Sequence, residues 1–230
     1  MSDHLIVGSG GSVGAHLRTL LTESGDHVFN THYHPRDPDQ TADPVHWIGF
    51  DLMEPSRDIP SLLHALDRSL LSSLVLFSHP SLLQEKESPP PDQMLSLLPA
   101  LEGVKILFDA CAPFLENGTI LSVIPSLSTL KAGGYMKARI YFGALKGLLE
   151  EYSRTNTAGI PGILTLELVH IPGESTPHIP SALLERMARQ TLSGTLPDSL
   201  SIARGIASLI QTPQRWMYGK TLRLPEGPFF

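Results

Sequence analysis

Short apolar runs rich in Val, Ile and Leu alternate along this chain with stretches whose apolar residues return every three or four positions. The run at 5–8 precedes a stretch at 13–24 in which Val13, Leu17, Leu20 and Leu21 share one helical face. The same reading predicts strands at 27–32 and 46–50, a helix at 59–71 and a strand at 73–78. It continues with a helix at 101–115, a strand at 119–124, a helix at 135–152 and a strand at 163–169. Helices at 181–191 and 198–211 and a strand at 220–224 follow. The segment 85–93 holds three consecutive prolines, which fit neither a helix interior nor a central strand, so it is expected to be a loop. A second loop is expected at 170–180, where proline and glycine recur.

Strands separated by helices of this length imply an α/β fold, a doubly wound and mostly parallel sheet with helices on both faces. Ligands of such sheets bind beyond the carboxyl ends of the strands. No internal repeat or linker divides the 230 residues, and a single domain over 1–230 is expected.

Composition narrows the functional classes. Against 17 basic residues stand 23 acidic ones, a net charge of -6 that argues against nucleic acid or an anionic membrane as the main partner. No apolar run is long enough to span a bilayer, and no basic leader precedes the first strand, so a cytoplasmic protein is expected. Cys111 is the only cysteine, which rules out an intrachain disulfide and a thiolate metal cage; its apolar neighbours predict a core thiol.

The candidate chemistry begins with "VGSGGSVG" at 7–14, placed between the first strand and the first helix. Gly8, Gly10, Gly11 and Gly14, with Ser9, Ser12 and Val13 between them, permit a tight turn and a close approach of backbone to ligand. The free N–H groups of the helix start would face a phosphate. At the end of the second strand, where a carboxylate would hold ribose hydroxyls, "NTHYHPRD" offers no acid before Asp37. His32, Tyr33, His34 and Arg36 stand there instead and suit a 2'-phosphate, which favours NADP(H) over NAD(H). No metal-ligand cluster accompanies the two histidines, and none is expected.

In this order the motifs resemble those of the short-chain dehydrogenase/reductase family, from one end of the chain to the other. Gly8 and Gly14 match the outer glycines of its first motif, with Ser12 at the middle one. Asp51 and Leu52 resemble its pair beside the adenine ring. Gly118 to Leu121 resemble the start of its fifth strand, Pro172 and Gly173 its proline–glycine beside the nicotinamide, and 218–227 its C-terminal segment. The resemblance implies a Rossmann-type fold, a nicotinamide cofactor also touched by Ser78 and His79, and a substrate lid around 173–190.

It further implies that Tyr135 is the proton donor to a carbonyl. The family's lysine four residues on is here Arg139, its relay asparagine falls at Ala100, and its serine falls at Pro125, with Ser126 and Ser128 just beyond. Three of four catalytic positions are thus altered in a divergent member. The resulting expectation is an NADP(H)-dependent reductase or dehydrogenase of a small hydrophobic carbonyl or alcohol. Two alternatives stay open: a non-redox dehydratase, isomerase or cyclase on the same fold, and a non-catalytic nucleotide-binding subunit. Lys137 does not share a helix face with Tyr135, and Tyr141 with Lys146 has the wrong spacing to substitute for it. Candidate substrate contacts are His79, Tyr135, His170, Glu174, His178 and Met187. A homodimer or homotetramer is expected through the helices at 101–115 and 135–152.

Overall fold

The computed structural model describes residues 1–32, 45–67, 69–77, 97–115, 117–125, 136–155, 162–168, 181–189 and 194–224. Seven strands form one sheet: β1 (Asp3–Val7), β2 (His27–His32), β3 (Val45–Gly49), β4 (Leu71–Phe77), β5 (Thr119–Pro125), β6 (Gly162–Leu168) and β7 (Thr221–Leu224). Their order is β3-β2-β1-β4-β5-β6-β7, and every neighbouring pair is parallel. The order runs outward in both directions from the β1–β4 pair, which is therefore the switch point where such sheets open a crevice. All carboxyl ends lie along one edge.

The alternation of side chains across the pleat divides the core in two. Leu5 and Val7 of β1 face a layer containing α2 (Pro55–Ala65), α3 (Leu98–Cys111) and α4 (Met136–Thr155). Ile6, between them, faces α1 (Ser12–Glu23) and α6 (Ser199–Gln211). A further helix, α5 (Ser181–Arg189), precedes α6. Cys111 is fully buried in the first layer, and burial pushes its thiol up to about 12, so it is a core residue.

Most predicted elements hold within a few residues, and the largest departure has a clear cause. The helix expected at 59–71 spans Pro55–Ala65, with proline at its first turn, where a missing N–H costs nothing. Leu62 and Leu66 keep the buried helical stripe, whereas Leu70 is exposed and Leu71 buried, the alternation of a strand entering the sheet. α3 starts at Leu98, earlier than expected, again with a proline in its first turn; beyond Cys111 the chain tightens into a 3-10 turn at Ala112–Phe114. The predicted loops at 85–93 and 170–180 lie outside the described residues.

At the amino edge of the sheet, opposite the crevice, β1 carries a buried polar cluster. His4 is 1% exposed; its Nδ1 lies 2.8 Å from the Ser73 hydroxyl on β4, and its Nε2 lies 3.5 Å from Asp26 Oδ2. Asp26 also accepts from the Ser2 N–H and, at 3.4 Å, from Gln211 Nε2 at the end of α6. Burial lowers the pKa of His4 against the opposing pull of Asp26, with Asp3 a weaker influence, so the imidazole is held neutral. The unfolded chain takes up a proton at His4 below pH about 6.5 that the folded chain resists, and stability falls with acidification. Between pH 7 and pH 5, the unfolding free energy should fall by up to about 1.4 kcal/mol per pH unit from this group. The His4→Asn variant should show a flatter profile in the same window, measured by urea unfolding; an unchanged slope would remove His4 as its source.

Candidate functional site

The crevice is built from the turn that leaves β1. Gly8 has φ +78°, and a Cβ there would overlap the carbonyl oxygen of Phe77 at the end of β4. Any other residue at position 8 is therefore excluded by both backbone conformation and contact. Gly14, in the first turn of α1, lies against Ser9: a Cβ on it would come within 2.6 Å of both the Ser9 Cβ and its carbonyl oxygen. These two glycines are demanded by the fold. Gly10 and Gly11 are different, since a Cβ on either would meet nothing within 4 Å. Their bareness serves no packing purpose and leaves open space in front of the helix.

That space faces the start of α1. Its N-cap, Gly11, provides no side-chain acceptor, and no acid occupies the first turn. The first intrahelical bond recorded there runs from Ala15 N to Gly11 O, so the N–H groups of Ser12, Val13 and Gly14 are left for an outside acceptor. Uncapped donors, the positive end of the helix dipole and an unfilled cradle together fit a phosphate or pyrophosphate.

The loop is held from behind. The Gly8 N–H donates to Thr31 Oγ1 at 3.3 Å, and the Ser9 hydroxyl donates to Asn30 Oδ1, both on β2. Arg18 of α1 donates through Nη1 to the Ser9 carbonyl at 2.9 Å and to its hydroxyl oxygen at 2.7 Å. Ser9, one of the cofactor-binding candidates, is 2% exposed and turns its hydroxyl inward, engaged on both sides. His32 ends β2 half-buried, its ring 6.2 Å from that of Trp47 on β3. Tyr33, His34 and Arg36 lie outside the described residues.

Asp51 and Leu52 form a fixed corner after β3. Asp51 Oδ1 accepts from the Met53 N–H at 2.8 Å, and the Asp51 N–H donates to Asp58 Oδ2 at 2.8 Å. Arg57, bonded to both Asp58 and Glu54, holds the Asp58 carboxyl below its ordinary range. Behind the corner, α3 presents Gly103, where a Cβ would overlap the Leu52 carbonyl.

Of the catalytic candidates, Tyr135, Ser126 and Ser128 lie outside the described residues, as do Ser78, His79, Pro172 and Gly173 and the substrate candidates His170, Glu174 and His178. Met187 falls in α5 with its side chain undescribed. The flanks are clear: β4 ends at Phe77, β5 at Pro125 and β6 at Leu168, and α4 begins at Met136, next in sequence to Tyr135. Arg139 is exposed on the first turn of α4. Tyr141 is fully buried, edge-on to Phe142 at 5.1 Å, and is no substitute proton donor. Ala100 is fully buried in α3 and has no polar group.

Arg18, Asn30, Thr31 and Gly103 escaped the sequence reading, as did Glu167. Glu167, next to the end of β6, is 1% exposed and accepts from Arg223 Nε on β7 at 3.1 Å. The signal for that pair was present: the one acid in "ILTLELV", and in "KTLRL" the second of two bases, set between leucines. Among the described residues no group of three or more His, Cys, Asp or Glu could hold a metal ion, and no helix is long and apolar enough to cross a membrane.

No family model matches this chain, and no curated protein does. Solved structures do match it. A double mutant of a Serratia marcescens short-chain dehydrogenase/reductase superposes with a TM-score of 0.77 at 18% identity, over 97% of this chain and 96% of that one. The angucycline C-6 ketoreductase LanV, with bound NADP, gives 0.74 at 17% identity over 96% and 93%. A short chain dehydrogenase from Leptospira borgpetersenii serovar Hardjo-bovis, with bound NAD+, gives 0.76 at 13% identity over 97% and 91%. This chain thus has the fold of the short-chain dehydrogenases and reductases along nearly its whole length.

The two kinds of glycine in the loop respond differently to an added methyl. Gly14→Ala should cost about 1–3 kcal/mol of stability through forced overpacking against Ser9. Gly10→Ala should leave the unfolding midpoint within about 0.5 kcal/mol yet weaken phosphate-bearing ligands. Thermal unfolding alongside a dinucleotide titration separates the two effects; equal destabilisation by both variants would contradict the open cradle.

Proposed function

We propose that this chain is a divergent short-chain dehydrogenase/reductase that binds NADP(H) in preference to NAD(H) and interconverts a small hydrophobic carbonyl with its alcohol. One observation supports this above the others: at the β1–β4 switch point, the uncapped start of α1 faces a cradle that Gly10 and Gly11 leave unfilled. In this reading the N–H groups of residues 12–14 hold the pyrophosphate, and Asp51 and Leu52 border the adenine. His32, Tyr33, His34 and Arg36 take the 2'-phosphate, while Ser78, His79, Pro172 and Gly173 border the nicotinamide.

The bound dinucleotide supplies hydride exchange at the carbonyl carbon. Tyr135 gives the oxygen its proton, and Ser126 or Ser128 orients that oxygen. Arg139, one helical turn from Tyr135, favours the tyrosinate by its fixed positive charge and cannot relay a proton. Residues around 173–190, with α5 among them, close over the site as a lid. The protein works in the cytoplasm as a homodimer or homotetramer through α3 and α4. On α4, Phe142, Leu145 and Leu149 are buried inward, and Ala144 and Gly147 are exposed on the outer side.

A second reading, a non-redox dehydratase, isomerase or cyclase, draws support from one feature. The positions of the family's relay asparagine and serine are a fully buried alanine in α3 and a strand-ending proline, and neither has a side chain that moves a proton. A silent nucleotide-binding subunit would share the cradle and lack turnover.

Fluorescence titration of the purified protein should give micromolar affinity for NADPH and weaker affinity for NADH; binding of neither would refute the cofactor reading. Tyr135→Phe should lower carbonyl-reduction kcat by about 10²–10⁴-fold while leaving the NADPH Kd within about twofold. Unchanged turnover would exclude Tyr135 as the donor.

A further inference from the structure

Arg18 lies one helical turn beyond Gly14, on the same stripe of α1, and its side chain reaches back toward the helix start as long helical side chains do. The missing Cβ of Gly14 lets Ser9 settle against the helix, and the Arg18 guanidinium takes hold of what settles there. Arginine can only donate, so the Ser9 hydroxyl oxygen accepts from Nη1 and its single hydrogen goes to Asn30 Oδ1. On its other side the guanidinium lies over the ring of Trp47, 4.9 Å from the centroid. One side chain therefore ties the glycine loop to α1 and to β3, and through Ser9 to β2.

The peptide joining Ser9 to Gly10 converts this hold into a direction. A trans peptide is planar, with its C=O and N–H pointing opposite ways. Arg18 fixes the Ser9 carbonyl inward, toward the helix, so the N–H of Gly10 points outward to the cradle in front of α1. We propose that Arg18 is a positioning residue of the cofactor loop, aiming the Gly10 N–H at the phosphate through its grip on Ser9. In this role its effect on a ligand passes through the backbone, and it acts equally on any dinucleotide whose pyrophosphate enters the loop. This rests on the dinucleotide-binding reading above.

The test compares wild type with R18A, S9A, the double variant and R18K, at a temperature where circular dichroism shows each to be folded. R18A should weaken NADPH and NADH by the same factor, about tenfold. The double variant should be no weaker than the worse single one, because both remove the same hold. R18K keeps the charge and loses the planar fork, and should recover only part of the loss; if R18A does not fold, R18K is read in its place. Affinities within about twofold of wild type, or additive losses in the double variant, would overturn the proposal. Loss confined to NADPH would overturn it too, in favour of direct contact with the 2'-phosphate. If wild type binds neither dinucleotide, the cofactor reading fails and amide hydrogen exchange decides for Arg18. Exchange at Gly8, whose N–H is bonded to Thr31, about tenfold faster in R18A would support the hold of Arg18 on the loop, and an unchanged rate would overturn it.

Discussion

Where β1 ends, the backbone must turn across the carboxyl end of β4 within one residue, and only the bare Cα of Gly8 lets the Phe77 carbonyl come so close. The two strands meet there as parallel neighbours although four other elements separate them in sequence. Their junction puts the following helix, α1, with its open end over the crevice. Had the turn been wider, the N–H groups of residues 12–14 would face solvent, with no crevice for a ligand to lie across. Architecture and candidate chemistry thus hang on the same steric constraint.

The fold was legible because its signals are local and repeated. The second strand was read to the residue, since "HVFNTH" is bounded by a glycine-containing turn and its apolar and polar positions suit a buried strand. The helix at 55–65 was misplaced because Leu70 and Leu71 continue an apolar count that the backbone does not follow. A helix and a strand spend adjacent leucines differently, and periodicity cannot see where one period replaces the other. For the site, the glycines could be read by type and spacing, but not by duty. Nothing in the string "GSGGSVG" separates Gly14, pressed against Ser9, from Gly10 and Gly11, which press against nothing. The direction of the Ser9 side chain was hidden for a related reason. Its inward turn depends on Arg18 and Asn30, nine and twenty-one residues away, and no local pattern records those partners.

Two polar systems sit on opposite edges of the same sheet. Around the loop, Thr31, Asn30 and Arg18 satisfy groups that would otherwise be buried without partners, and leave the outward-facing N–H groups for a ligand. At the amino edge, His4 and Ser73 are enclosed and Asp26 nearly so, and their polar groups are turned on one another. Serine, histidine and aspartate are the residue types of a nucleophilic triad, but the Ser73 hydroxyl is fully buried and has no approach for a substrate. One edge keeps its donors open while the other closes its own.

The Gln211–Asp26 bond joins residues 185 positions apart, and α6 covers the same face of β1 as α1 does. During synthesis, β1, β2, β4 and β5 leave the ribosome long before the helix that shields Ile6, Val75 and Leu121. Until Ile202, Ile206, Leu209 and Ile210 arrive, α1 alone among the described helices covers that sheet face. The last helix is thus a closing piece for the first strand. A nascent chain passes through a sticky interval whose length is set by translation speed and chaperone cover rather than by the stability of the finished protein.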